Sequence, residues 1–137
     1  MADCIFCRIV SGGIPSYLVF EDERVIAFLD INPVAIGHTL VIPKAHSTEL
    51  AGMSPEDMTA VGAALRRLAP AVAKAVGAEG YNILNNCGAV AGQAVGHVHF
   101  HIIPRTGRDG RGYRWLTFSY REGQAALVAG DISTAVG

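Results

Sequence analysis

The stretch His97 Val98 His99 Phe100 His101 Ile102 Ile103 places three imidazoles two residues apart inside an apolar run. In an extended strand successive side chains alternate between faces, so His97, His99 and His101 share one face and Val98, Phe100 and Ile102 the other. One face belongs to a hydrophobic core; the other presents a row of imidazoles. At ~3.3 Å per residue, neighbouring histidines have roots ~6.6 Å apart, enough for three separate roles. Packing alone explains the row poorly, because every buried imidazole needs polar partners.

A strand of this kind needs neighbours and a covering layer, and both lie upstream. Tyr17 to Glu21 and Val25 to Leu29 are apolar, partly β-branched runs separated by Asp22, Glu23 and Arg24, the pattern of a hairpin. Thr39 to Ile42 reads as a third strand, buried on both faces and stopped by Pro43, whose missing N–H cannot join a ladder. Ser54 Pro55 Glu56 Asp57 is a helix start: a capping hydroxyl, proline at the first helical position and acids in the first turn. Met58, Val61, Leu65, Leu68, Val72 and Val76 follow at helical spacing, with Pro70 a kink and Gly77 a stop. Tyr81 to Leu84 is a further strand, and Cys4 to Val10 a short N-terminal helix ended by Ser11 Gly12 Gly13. Strands with one long helix and no regular βα alternation predict an α+β fold, an antiparallel sheet covered by that helix.

At 137 residues the chain is one domain, long enough to bury about two-thirds of its extended surface. Half its residues are apolar and its net charge is −1, which excludes general electrostatic attraction to nucleic acid or to a membrane surface. The N-terminal MADCIFCRIVSGG lacks the apolar core of a signal peptide, and no apolar run reaches the ~18 residues of a membrane span. Three cysteines, an odd number, favour reduced thiols or metal ligands over a disulfide framework, and the expected location is the cytoplasm. From Arg105 onward the chain turns polar, with Arg108, Arg111, Arg114 and Arg121 forming either a solvated tail or a lip over an anionic substrate.

The loop from Asn85 to Gly96 carries Gly88, Gly92 and Gly96, which let backbone amides approach a ligand. Beside a row of imidazoles it suits an anion such as phosphate. Histidine can act as a nucleophile and split a difficult displacement into two easier ones, and His99, in the middle of the row, is best placed. It must be neutral with one ring nitrogen free, so a partner such as a backbone carbonyl should hold the other. His38, Asn86, Gln93 and His101 are candidate donors to charge developing on phosphate. Cys4 and Cys7 form a CxxC pair, half of a tetrahedral metal site. One competing reading stays open: a catalytic zinc held by His97 and His99 with His38 or His101.

HVHFHII resembles the signature of the histidine triad (HIT) nucleotide hydrolases and transferases. AFLDINPVAIGHTLVIPKAH, from Ala27 to His46, and NNCGAVAGQAVGHVHFH, from Asn85 to His101, resemble two further blocks of that family, and with CIFCRI they cover most of residues 4 to 105. The pattern is closer to the nucleoside phosphoramidases and related bacterial proteins than to the diadenosine polyphosphate hydrolases. The resemblance implies a single HIT domain over 1–137, with a core from about 4 to 105 and a tail from 106 to 137, that dimerises into a continuous sheet. It implies that His99 attacks the α-phosphorus of a purine nucleotide such as an AMP phosphoramidate, and that His101 and His38 contact phosphate oxygens. Asn86 and Gln93 would hold the phosphate and the reaction intermediate, and Asp30 the ribose. Ile5, Phe6, Ile9, Phe28 and Ile31 would sandwich the base. Dinucleoside polyphosphate hydrolysis is the alternative activity within the family, and a purine-nucleotide-binding protein without turnover is the non-catalytic alternative. Ala94 departs from the serine that many phosphoramidase members carry there. Zinc-containing bacterial members resemble this chain in adding the histidine of the PKxH segment and the first triad histidine to such a cysteine pair. Here that set is Cys4, Cys7, His46 and His97, a structural zinc site, with no metal needed for the chemical step.

Overall fold

Val25–Leu29 (β2) and Thr39–Pro43 (β3) carry the β-branched and aromatic side chains that fit a pleated, buried surface, and they form the middle of a five-stranded antiparallel sheet. The computed structural model describes residues 3–110 and 116–137. Leu18–Glu21 (β1), Gly80–Asn85 (β4) and Phe100–Arg105 (β5) complete the sheet in the order β1-β2-β3-β5-β4. Three helices accompany it: Ile5–Val10 (α1), Pro55–Val76 (α2) and Gln124–Val136 (α3). The expected α+β architecture, with its hairpin at 22–24 and its long helix, is what the chain adopts.

Side-chain alternation divides the core in two. Val25, Ala27, Val41, Val98, Phe100 and Ile102 face α2 and pack on Val61, Leu65, Leu68 and Val72. Ile26, Phe28, Leu40 and Ile42 face the other way and pack on Phe6 of α1. All five residues of β3 are therefore buried, each face by a different helix. The α2 N-terminus is held by Ser54, whose hydroxyl accepts from the Asp57 N–H, and the helix ends at Gly77 in the left-handed conformation. It runs continuously through Pro70.

Four expectations need correction. The strand containing the triad starts at Phe100, not His97. The Val98 N–H donates to the Ser47 carbonyl at 2.7 Å, outside the sheet ladder. Alternation of faces nevertheless survives, because Val98, Phe100 and Ile102 share the α2-side core. Pro43 is the last residue of β3 and not merely its stop. Arg105 ends β5, and its guanidinium donates to Asn82 Oδ1 at 2.7 Å and Asp109 Oδ2 at 2.8 Å, so it belongs neither to a solvated tail nor to a lip over the site. The region after 105 also holds α3, which lacks a capping side chain and buries none of its residues. Arg111, Arg114 and Trp115 lie outside the described residues. No helix among the described residues is long and apolar enough to cross a membrane.

Candidate active site and metal centre

Register places the first functional residues. Phe28 lies opposite Leu40, and Leu40 opposite His101, so these three side chains form a lateral row across β2, β3 and β5. That row floors a cleft of about 400 Å³. Ile5, Phe6 and Ile9 of α1 wall it on one side, with Asp30, Ile31, Val95 and His99 around the rim. The cleft thus collects the residues expected for the base, Ile5, Phe6, Ile9, Phe28 and Ile31, together with Asp30, His99 and His101. His38, Asn86 and Gln93 do not line it directly.

Hydrogen bonds fix which nitrogen of each histidine carries the proton. His99 is 6% exposed, and its Nδ1 lies 2.8 Å from the His97 carbonyl. A carbonyl only accepts, so Nδ1 donates and Nε2 keeps a free lone pair. The Asn85 side-chain amide donates to the His99 carbonyl at 2.9 Å, so the backbone of the nucleophile candidate is fixed as well. His38 Nδ1 accepts from the Val34 N–H at 3.0 Å, which leaves His38 Nε2 protonated. That nitrogen lies 2.8 Å from His101 Nδ1 and donates to it. His101 Nε2 must then bear a hydrogen, and this buried nitrogen has no hydrogen-bond partner among the described residues. The orientation suits a donor reserved for a ligand in the cleft that His101 lines.

Electrostatics keep this pair neutral. Burial lowers the His38 pKa, opposed by nearby Asp30, whose carboxylate lies 3.7 Å away. Burial also lowers His101, with repulsion from His99 and His38 adding, to about 4. Asp30 itself accepts the Asn32 N–H at 2.8 Å, closing the turn after β2 with one oxygen.

The second cluster lies where α1 meets the segment before β5. Cys4 Sγ is 3.4 Å from His97 Nδ1, and Cys7 Sγ is 3.3 Å from His46 Nδ1 and 3.5 Å from His97 Nδ1. The two Nδ1 atoms are 3.2 Å apart. His97 Nε2 donates to the Pro43 carbonyl at 2.9 Å, so its Nδ1 presents a lone pair to the cluster. Tetrahedral zinc with bonds of ~2.0–2.3 Å separates its ligand atoms by roughly 3.3–3.8 Å, close to the spacing found here. Two thiols and two imidazole lone pairs form a donor set that fits zinc. His97, fully buried, is held below its ordinary pKa by desolvation, which favours the neutral, ligating form. Burial and Cys4 raise the Cys7 thiol, so a bound metal must displace its proton.

The glycine loop is organised by Gln93. Its Oε1 accepts from the Gly88 N–H at 2.9 Å, and its Nε2 donates to the carbonyls of Thr48 at 2.7 Å and Val95 at 2.9 Å. Both amide hydrogens are thus committed to the backbone, and Gln93 ties the loop to Thr48 and Val95. Gly88 and Gly92 have φ of 89° and 98°, and a Cβ at Gly92 would come within 3.3 Å of the Asn86 amide. Sequence reasoning missed Asn85, Leu40, Val95, Ile14 and Pro15. The Asn85 Asn86 pair was the available signal for the first; the others became visible only through register and packing.

The HIT domain family matches residues 11–108 of the chain. Adenosine 5'-monophosphoramidase of Schizosaccharomyces pombe is 40% identical over 134 residues, 97% of this chain and 98% of that protein. A crystal structure of a HIT family member from Bacillus subtilis superposes with a TM-score of 0.90 at 43% identity, covering 96% of each chain. A Zn-bound histidine triad family protein from Mycobacterium smegmatis superposes with a TM-score of 0.77 at 38% identity, covering 96% of this chain and 98% of that one.

Proposed function

This chain belongs to the HIT domain family, and from that premise we propose that it is a nucleotide hydrolase that frees AMP from a substituent on its α-phosphorus, such as an amine, through a nucleotidyl intermediate on His99. The observation that carries the reading is the tautomer of His99, whose Nδ1–H is held by the His97 carbonyl so that Nε2 is the nucleophilic nitrogen. The Nε2 lone pair forms a bond to phosphorus as the P–N bond of the substrate breaks. Its electron pair stays on the departing nitrogen, which takes a proton from solvent at the open end of the cleft. Water then attacks phosphorus, the P–Nε2 electron pair returns to His99, and AMP leaves with one proton returned to solvent. Protons balance over the two steps, and the net reaction consumes one water.

His101 Nε2–H donates to a phosphate oxygen throughout, and His38 fixes it in that tautomer. Asn86 and the backbone held by Gln93 face the phosphate, Asp30 takes the ribose hydroxyls, and Ile5, Phe6, Ile9, Phe28 and Ile31 enclose the base. Zinc on Cys4, Cys7, His46 and His97 has four protein ligands and so supplies structure. The three free cysteines suit a reducing compartment, the cytoplasm. Edge strand β4 exposes Tyr81 and Ile83, 43% and 46% accessible, and pairs with its copy in a homodimer with one continuous sheet.

Intact-mass spectrometry after acid quench with an adenosine phosphoramidate tests the mechanism. An AMP adduct on the wild type that is lost in His99→Ala supports it; AMP release that survives His99→Ala sinks it.

A further inference from the structure

Phe6 sits between the two clusters. Its ring packs edge-on against His97 at 5.9 Å and His99 at 5.2 Å between centroids, and against Phe28 at 5.5 Å. It is 6% exposed, and it is flanked within α1 by Ile5 and Cys7. The helix has six residues, far below the length at which an isolated helix persists in water. Its position therefore depends on what anchors it. One anchor is Phe6 against Ile26, Phe28, Leu40 and Ile42. The other is the cysteine pair: Cys4 caps α1 by accepting the Cys7 N–H at 3.3 Å, and both thiols reach the imidazoles of His46 and His97. The helix that carries the cysteines also supplies Ile5, Phe6 and Ile9 to the wall of the cleft. Residue His97 links the clusters a second time, because its ring belongs to the cysteine set while its carbonyl holds His99 Nδ1.

We propose that Phe6 is a positioning residue that couples metal on Cys4, Cys7, His46 and His97 to nucleotide in the cleft, so that each binds more tightly in the presence of the other. Metal fixes the cysteines, the cysteines fix α1, and Phe6 then closes the base wall and limits the orientations of the His99 ring. The coupling rests on the cleft being a nucleotide site, as argued above. Because linkage is reciprocal, the factor by which zinc strengthens AMP binding must equal the factor by which AMP strengthens zinc binding.

Calorimetric titration of AMP into zinc-loaded and chelator-stripped chain measures one side of the cycle; circular dichroism checks that the stripped chain is folded. Equilibrium competition of the loaded chain against a chelator of known zinc affinity, with and without AMP, measures the other side. The expected coupling is about tenfold, within the range common for linked sites. Phe6→Leu keeps all four ligands, so zinc should still bind without AMP while the coupling factor falls toward one. Equal AMP affinity in loaded and stripped folded chain, the same zinc affinity with and without saturating AMP, or full coupling retained in Phe6→Leu would each overturn the proposal. Absence of AMP binding to the loaded chain would overturn the nucleotide reading, and this coupling with it, a result distinct from binding without coupling.

Discussion

Two histidine clusters flank His99, alike in residue type and different in spacing. Between His38 and His101 the facing nitrogens are 2.8 Å apart, a distance that holds one shared hydrogen. Among Cys4, Cys7, His46 and His97 the four facing atoms stand 3.2 to 3.5 Å from their neighbours, the separation that a tetrahedral ion imposes. The difference continues one layer out. Val34 N–H donates to His38 and thereby makes its other nitrogen a donor, whereas the Pro43 carbonyl accepts from His97 and thereby makes its other nitrogen a ligand. In these two rings the backbone group behind decides whether the facing nitrogen donates a hydrogen or offers a lone pair.

Changing the residue between the clusters has the largest expected effect. His99→Ala should lower turnover of an adenosine phosphoramidate by more than about 10⁴-fold, with zinc content unchanged, read by AMP release and metal analysis. Cys7→Ser breaks the metal cluster: zinc stoichiometry should fall, and stability by about 4 kcal/mol if metal is present at 1,000 times its Kd, seen in denaturant unfolding. His101→Ala breaks the other cluster alone, and should cost about 10²–10³-fold in kcat while leaving zinc bound. Zinc loss in that variant would mean that the clusters are not separable in the way their spacing indicates.

Acid gives the smallest effect and sharpens the contrast. Burial holds His101 at about 4 against an ordinary 6.5, and lowers His38 in the same direction. Below pH 6.5 the unfolded chain takes up protons that the native pair refuses, so stability falls as pH drops from 6.5 toward 4. Above that window these two groups contribute no pH dependence. A melting temperature that stays level between pH 7 and 5 in the metal-stripped chain would contradict the neutral pair.

Much of the candidate site was legible beforehand because its signals are local. The 97–103 alternation separated core side chains from imidazoles, and Ser54, Pro55 and Gly77 bounded α2 through capping chemistry that acts within a turn. What escaped shares a different cause. The hydrogen bonds of the Gln93 amide to Gly88, Thr48 and Val95, one of them 45 residues away, could not be read from local sequence. Helix α3 carries neither a capping side chain nor a buried stripe, the two features by which a helix announces itself.

The sequence by itself determined the alternation of faces, the succession of strands along the chain, the long helix and the residue types gathered for chemistry, since each follows from neighbours a few positions apart. The roles of the individual histidine nitrogens were decided only by tertiary structure. They depend on the carbonyl of Pro43 behind His97, the carbonyl of His97 behind His99 and the N–H of Val34 behind His38, each placed by the path the folded backbone takes, and a backbone group leaves no mark in the residue that carries it.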